Sequence, residues 1–453
     1  MSSPQRPWPG SWVASRLGVR LSDGQRPVGA GLADLVGLAV RRNPRRAHLL
    51  VSEVLGKHVP TDPRLVYGAG LLLGELVRAR LRQEEPTPPD GLLVDALRRV
   101  PGAAAGLRDL LRAPQVPVEA FVLGYAETAT ALGHSVADAL GDAYYLHSTR
   151  RPVKGFATYG GFEEEHSHAT SHLLLPADPA ALDRDVPVVL VDDELSTGRT
   201  VLNTIEALHT VRPRSRYVVA ALVDLRGPAD RARMEALADR LGTRIDAVAL
   251  AAGHVDLPED VLEAGQTLVT ELTARSAPQE PESTFDVTRV ELEWPAGLPD
   301  GGRHGFLPAH RERLEKDLPR MADVLASGLG EGASRVLVLG FEELMYAPLR
   351  LAEALADARP DLDVRYSTTT RSPVLAVDDP GYAIRTRLTF PAHDDPADGP
   401  GERYAYNVSS ASDQIILVVD DAGDTPALAD GLLRRLQALA PILLATVPAR
   451  RRP

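Results

Sequence analysis

Residues 188–200 read Val188-Val189-Leu190-Val191-Asp192-Asp193-Glu194-Leu195-Ser196-Thr197-Gly198-Arg199-Thr200. Four consecutive apolar side chains predict a strand buried on both faces, as in a parallel sheet. Acids at its carboxyl end lie where open α/β sheets bind ligands. The small residues that follow predict a turn opening a helix, where first-turn N–H groups lack intrahelical partners and the dipole favours an anion. Gly198 lets the backbone come close to a phosphate, and Ser196, Thr197 and Thr200 add hydroxyl donors. A phosphate cradle alone fits any nucleotide. Carboxylates immediately before it point to hydroxyls beside the phosphate, because carboxylates accept bonds from a ribose diol. The bland alternative is a strand end with an acidic turn and a Ser/Thr helix cap. No GxxxxGK[ST] segment occurs, which argues against a P-loop nucleotidase.

The surrounding pattern alternates. Strand signatures at 118–124, 143–147, 171–175, 186–191, 217–223 and 245–251 are interleaved with helical ones at 126–140, 200–208 and 230–241. That alternation predicts an α/β fold, a parallel sheet flanked by helices. Upstream, 31–42 reads as a helix with Leu32, Leu35, Val36 and Ala39 on one face, and 65–81 as another. Gly68, Gly70 and Gly74 in the latter do not have the dinucleotide spacing and follow no strand, so they predict helix packing. Residues 274–303, rich in Pro, Glu, Asp and Gly, read as a linker. Beyond them, helical patterns at 314–326 and 349–358 and strands at 335–339 and 415–419 predict a second α/β domain. The expected domains are 20–273 and 304–450.

Composition bounds the function classes. The chain has 453 residues, 44% hydrophobic and 25% charged, which at ~100–200 residues per domain suits two or three globular domains. A net charge of −12 argues against a nucleic-acid binder that relies on a diffuse basic surface. With no cysteine, a disulfide framework, a thiolate nucleophile and a Cys-ligated zinc are excluded. Residues 1–10 are polar and Pro-rich, without the apolar core of a signal peptide. No apolar run reaches the ~18 residues of a membrane span, so the expected compartment is the cytoplasm.

The 188–200 string resembles the motif that binds phosphoribosyl pyrophosphate (PRPP) in type I, orotate-type phosphoribosyltransferases. Further segments look like the phosphoribosyltransferase of bacterial tellurium-resistance gene clusters, in which a TRSP domain follows the transferase domain. They are Asn43-Pro44-Arg45-Arg46-Ala47-His48, Gly56-Lys57-His58-Val59-Pro60, Leu123-Gly124-Tyr125-Ala126-Glu127-Thr128-Ala129, His147-Ser148-Thr149-Arg150-Arg151-Pro152 and Thr370-Arg371-Ser372-Pro373. The resemblance spans most of the chain.

It implies Mg2+-dependent transfer of phosphoribosyl from PRPP to a nitrogen of a base-like acceptor, with release of pyrophosphate, in a nucleoside-like pathway linked to tellurium or stress resistance. The transition state would resemble an oxocarbenium ion, so the site must orient the ribose, neutralise pyrophosphate and exclude water. By the same resemblance Asp192 and Asp193 hold the ribose hydroxyls, directly or through metal, and Glu194, Ser196, Thr197, Gly198, Arg199 and Thr200 hold the 5-phosphate. Pyrophosphate falls to Tyr125, Ala126, Glu127 and Thr128. Glu127 is awkward beside an anion; it either binds Mg2+ or turns away to cap the next helix. Arg150, Arg151 and Lys57 either clamp pyrophosphate or are solvated surface. Residues 154–161, with three glycines, lie where this fold carries a mobile hood, and read as a lid or an ordinary loop. The partners implied are PRPP and a base-like molecule, with a homodimer or partner biosynthetic enzymes. The alternative is a non-catalytic PRPP- or nucleotide-sensing module or scaffold.

Two features stand apart. In Glu163-Glu164-Glu165-His166-Ser167-His168-Ala169-Thr170-Ser171-His172, strand alternation puts His166, His168 and His172 on one face. His166 and His168 are assigned to the acceptor pocket, against a metal site or a structural role. The second domain also reads as a degenerate copy of the first. Val336-Leu337-Val338-Leu339-Gly340-Phe341-Glu342-Glu343 parallels Phe121-Val122-Leu123-Gly124-Tyr125-Ala126-Glu127. Tyr366-Ser367-Thr368-Thr369-Thr370-Arg371-Ser372-Pro373 parallels Tyr145-Leu146-His147-Ser148-Thr149-Arg150-Arg151-Pro152, and Leu417-Val418-Val419-Asp420-Asp421 parallels Leu190-Val191-Asp192-Asp193. Asp424 would repel a phosphate there and Pro426 removes an N–H, so loss of PRPP binding is expected. Convergent strand–turn composition is the alternative.

Overall fold

The computed structural model describes residues 7–43, 46–89, 91–153, 155–163, 171–273, 284–393 and 401–449. The chain enters through α1 (Ser11–Leu17), β1 (Arg20–Asp23) and α2 (Leu32–Leu35), then a hairpin of β2 (Val36–Asn43) and β3 (Arg46–Ser52). Helices α3 (Pro63–Arg82), α4 (Leu92–Leu97) and α5 (Ala103–Leu111) precede β4 (Val118–Gly124), α6 (Thr130–Leu140) and β5 (Gly141–His147). A hairpin of β6 (Gly160–Glu163) and β7 (Ser171–Leu174) leads to β8 (Val188–Leu195) and α7 (Arg199–Val211). β9 (Arg216–Asp224), α8 (Pro228–Leu241), β10 (Arg244–Asp256) and α9 (Val261–Thr273) complete the first half.

The first sheet runs β1-β10-β9-β8-β4-β5, parallel except for β1 at its edge. From β4 the chain winds outward first to β5 and then, on the other side, to β8. The crevice between the carboxyl ends of β4 and β8 is therefore the topological switch point, where such sheets bind ligands.

The second half carries β11 (Val287–Val290), α10 (Pro308–Ser327), β12 (Arg335–Gly340), α11 (Tyr346–Ala358), β13 (Asp363–Thr368), β14 (Arg387–Pro391), β15 (Glu402–Tyr406), β16 (Gln414–Asp420) and β17 (Ile442–Val447). Its sheet, β11-β17-β16-β12-β13, is wholly parallel. The order β13-β12-β16-β17 repeats β5-β4-β8-β9, with an antiparallel hairpin before the third strand in each half. The second half is thus an α/β unit wound like the first. The fifth place, held by β10 in the first sheet, is filled by β11, which precedes β12 in the chain.

Two expectations change. Residues 31–42 are not a helix: only Leu32–Leu35 is helical and β2 follows. The apolar spacing fits both periods; the hairpin with β3 on one edge and distant partners on the other decide between them. Tyr382 Oη accepts from the Val40 N–H (2.7 Å), and Leu38 and Val40 carbonyls accept from Ala383 and Leu375. The expected linker also contains β11, which pairs with β17 about 150 residues on; a four-residue strand amid Pro and Glu carries too little local signal.

Close helix packing at the glycines of α3 is observed. A Cβ on Gly70 would lie 2.4 Å from Ser135 Cβ, and one on Gly74 2.4 Å from Ala139 Cβ, so α3 and α6 approach backbone to backbone. The helices of both halves then meet around a buried polar knot. Asp138 on α6 accepts from Tyr67 Oη of α3 (2.9 Å) and Tyr346 Oη of α11 (2.7 Å). Arg350 binds Glu353 (2.7 Å) and Glu315 (2.8 Å), and the His134 ring stacks 3.8 Å from Tyr346. Burial pushes His134 well below the ordinary imidazole range, so it stacks as a neutral ring.

Candidate active site

β8 places the acids. Val188 to Val191 are buried between β4 and β9. The strand runs further than its apolar run suggested: Asp192 pairs with Ala221, Glu194 with Val223 and Leu195 with Asp224. The acids therefore sit on the strand's last turns of pleat, held by ladder bonds, with Asp192 and Glu194 on one face and Asp193 on the other.

Ser196 and Thr197 then turn into α7. Gly198 has φ +73°, a left-handed conformation that suits glycine, and a Cβ there would lie 3.2 Å from Arg226 Cδ. Arg226 is fixed in turn by two 2.9 Å bonds to Asp224. This buried pair forms a rigid floor under the turn. Sequence reading missed it, because Asp224 and Arg226 look like an ordinary strand end. The first turn of α7 presents its amides beside the Ser196, Thr197 and Thr200 hydroxyls, an arrangement suited to a phosphate.

Electrostatics separate the acids. Burial, and then the Glu194 charge, raise the Asp193 carboxyl above its ordinary range, while Lys57 pulls it down. The Asp193 N–H donates to Asp192 Oδ1 (2.9 Å). Glu194 takes Arg46 of β3 at 2.9 Å.

The loop after β4 lies alongside. Tyr125, Ala126 and Glu127 are buried, and the Ala126–Glu127 peptide is cis. The Ala126 N–H donates to Ser148 Oγ (3.0 Å), which bonds His172 Nδ1 (2.8 Å). Lys57 Nζ reaches Glu127 Oε1 (2.9 Å) and Thr128 Oγ1 (2.8 Å). The structure thus brings Tyr125, Ala126, Glu127, Thr128 and Lys57 together beside Asp193.

Glu127 does not take the helix-capping role. α6 has no side-chain cap, and the carboxylate is bound by Lys57, by Thr370 Oγ1 (2.5 Å) and by the Arg371 N–H (3.4 Å). Among the described residues no group of three or more His, Asp or Glu could hold a metal ion. Arg151 is turned away toward the second sheet: Nη2 meets Glu342 Oε2 at 3.3 Å and the guanidinium lies over Phe341. His166 and His168 fall outside the described residues.

The family models speak to the same span. One described as "Phosphoribosyl transferase" matches residues 35–254, and one described as "TRSP domain C terminus to PRTase_2" matches residues 300–436. The chain belongs to this two-domain phosphoribosyltransferase family. No curated protein matches it. Among solved structures it is similar to adenine phosphoribosyltransferases of several organisms. That of Rhodothermus marinus is 17% identical, over 48% of this chain and 95% of that one, with a TM-score of 0.27. That of Trypanosoma brucei, in complex with AMP, pyrophosphate and ribose-5-phosphate, is 18% identical over 34% and 68%, TM-score 0.25. That of Giardia lamblia, complexed with 9-deazaadenine, is 22% identical over 36% and 85%, TM-score 0.23. No described helix of the chain is long and apolar enough to cross a membrane.

The TRSP half of the chain meets the half matched by the phosphoribosyl transferase model through reciprocal bonds. As Thr370 Oγ1 and the Arg371 N–H bind Glu127, so Thr149 Oγ1 (2.8 Å) and the Arg150 N–H (3.2 Å) bind Glu343. Lys57 pairs with Glu127 and Arg303 with Glu343 (3.1 Å). Tyr145 pairs with Phe306, and Tyr366 with Thr61. Burial alone would raise both carboxyls. Lys57, Thr370, Arg150 and Arg371 outweigh it at Glu127 and hold it at about 2; Arg303 and Arg151 lead in holding Glu343 well below the carboxylate range. Segments 56–61 and 302–306, each opening a helix with Pro63 or Pro308, extend the repeat upstream of its sequence-visible part.

Proposed function

We propose that this chain transfers phosphoribosyl from PRPP to a nitrogen of a base-like acceptor and releases pyrophosphate, with Mg2+. The observation that carries the reading is the placement of Asp192 and Asp193 in the carboxyl-terminal half of β8, at the switch point and two residues before the turn that opens α7. The acids would hold the ribose hydroxyls and the Ser196–Thr200 amides and hydroxyls the 5-phosphate. Lys57 and Thr128 would face pyrophosphate. Mg2+ keeps several waters and takes one or two carboxylates plus substrate phosphates, which suits Asp192 and Asp193 without a protein cage; bound there it would supply charge neutralisation at pyrophosphate. The positioned ribose and a water-free crevice would then let a neutral ring nitrogen attack C1 as the C1–O bond to pyrophosphate breaks.

The setting we propose is cytoplasmic synthesis of a nucleoside-like metabolite linked to tellurium or stress resistance, in a homodimer or with partner enzymes. A second reading, a PRPP- or nucleotide-sensing module, is favoured by Glu127, whose buried carboxylate occupies the loop that would cradle pyrophosphate. Incubation with PRPP, Mg2+ and a panel of bases, read by pyrophosphate release, separates the two. Release with one base supports transfer. PRPP binding with no release for any base supports sensing.

A further inference from the structure

The two halves can be compared position by position at the loop that follows the first strand. Gly124 and Gly340 end β4 and β12. The Ala126 N–H donates to Ser148 Oγ (3.0 Å) and the Glu342 N–H to Thr369 Oγ1 (3.2 Å), so Ala126 and Glu342 hold the same place. Their side chains differ sharply. The Glu342 carboxylate is fully buried and draws in Arg403 Nε (2.5 Å), Arg371 Nε (2.7 Å) and Arg151 Nη2 (3.3 Å). Cations converging on one buried anion is the pattern of an anion-binding site already filled from within. The methyl group of Ala126 leaves the matching place in the first half without such a carboxylate.

Arg371 is the cation that spans both places. Its Nε lies 2.7 Å from Glu342 and 4.0 Å from Glu127 Oε2, and its N–H bonds Glu127. From there Glu127 leads to Lys57, and the Lys57 charge acts on Asp193. The second half therefore reaches the loop after β4 through Arg371, whose N–H and guanidinium both lie against Glu127, the residue after Ala126.

We infer that the second half is a built-in partner that lends Arg371 to the pyrophosphate end of the first half's site, while the Glu342 carboxylate fills the matching place in its own half and leaves one such site per chain. This rests on the phosphoribosyl-transfer reading. The test is calorimetry on the full chain with inorganic pyrophosphate and Mg2+, and in parallel with ribose 5-phosphate. The wild type takes up one pyrophosphate per chain. Arg371→Ala weakens pyrophosphate roughly ten-fold or more, the loss of a charge-assisted bond; ribose 5-phosphate is unchanged and Arg371→Lys recovers part of the loss. Glu342 keeps Arg403 and Arg151 in that variant, so the fold survives; should it not, Arg371→Gln carries the same comparison. Equal pyrophosphate affinity in wild type and variant, or two pyrophosphates per chain, overturns the inference. Ribose 5-phosphate bound without pyrophosphate sinks the Arg371 assignment alone, whereas failure to bind ribose 5-phosphate sinks the transfer reading beneath it.

Discussion

Replacing Glu127 by glutamine removes one charge from the contact between the halves while keeping its shape. Glu127 is 7% exposed and Lys57 5%, so solvent screens the pair little. In the folded chain the group titrates at about 2, against an ordinary 4.5. That drop of roughly 2.5 units, at about 1.4 kcal/mol each, corresponds to roughly 3 kcal/mol of stability. A carboxyl with a lowered folded pKa contributes fully above its unfolded value and loses the contribution as pH falls through the folded one. The wild type should therefore exceed Glu127→Gln by roughly 3 kcal/mol at pH 7 and pH 6. The gap should narrow below about pH 4.5, shrink to under half at pH 3 and vanish below about pH 2. Urea unfolding of both proteins at pH 7, 5 and 3, followed by far-UV circular dichroism, measures it. A gap under about 1 kcal/mol at pH 7, or the same gap at pH 7 and pH 3, would show that Glu127 is not the buried, cation-held carboxylate described.

Asp192→Asn combined with Asp193→Asn should abolish turnover and weaken PRPP binding, and unchanged PRPP affinity in a titration would count heavily against the site. Gly198→Val forces a β-branched residue to φ +73° and brings its Cβ to 3.2 Å from Arg226. It should cost about 1–2 kcal/mol, lower the melting temperature and reduce ribose 5-phosphate affinity; wild-type affinity would remove the turn from the phosphate site. Arg350→Ala leaves Glu353 to Arg108 (2.8 Å) and Arg112 (3.3 Å) but removes the link to Tyr67 and Glu315. A loss of about 3 kcal/mol and faster proteolysis between the halves are expected, and an unchanged cleavage rate would mean the polar knot does not hold them together.

The sequence alone determined the elements whose periodicity is strong and whose partners are near. β4 falls on the pattern at 118–124, and α3, β9 and α8 lie within a few residues of theirs, because continuous apolar runs bury on two faces and 3.6-residue spacing buries on one. It also determined the acids and turn of 192–200, since strand, acids, small residues and helix follow one another directly. Even the repeat was readable in Gly340–Glu343 and Thr370–Arg371. What only the tertiary structure decided lies in pairings across long separations. β2 pairs with its neighbour β3, while its other edge is closed by Tyr382, 342 residues away from Val40, and β11 is a strand because β17 arrives late. Glu127 binds Thr370 at a separation of 243 residues, so no local rule could say whether its charge faced a metal, a helix end or the other half. The physical reason is the same throughout: a side chain's local spacing sets which face it occupies, but the group across that face, and with it the charge state, comes from wherever the chain returns.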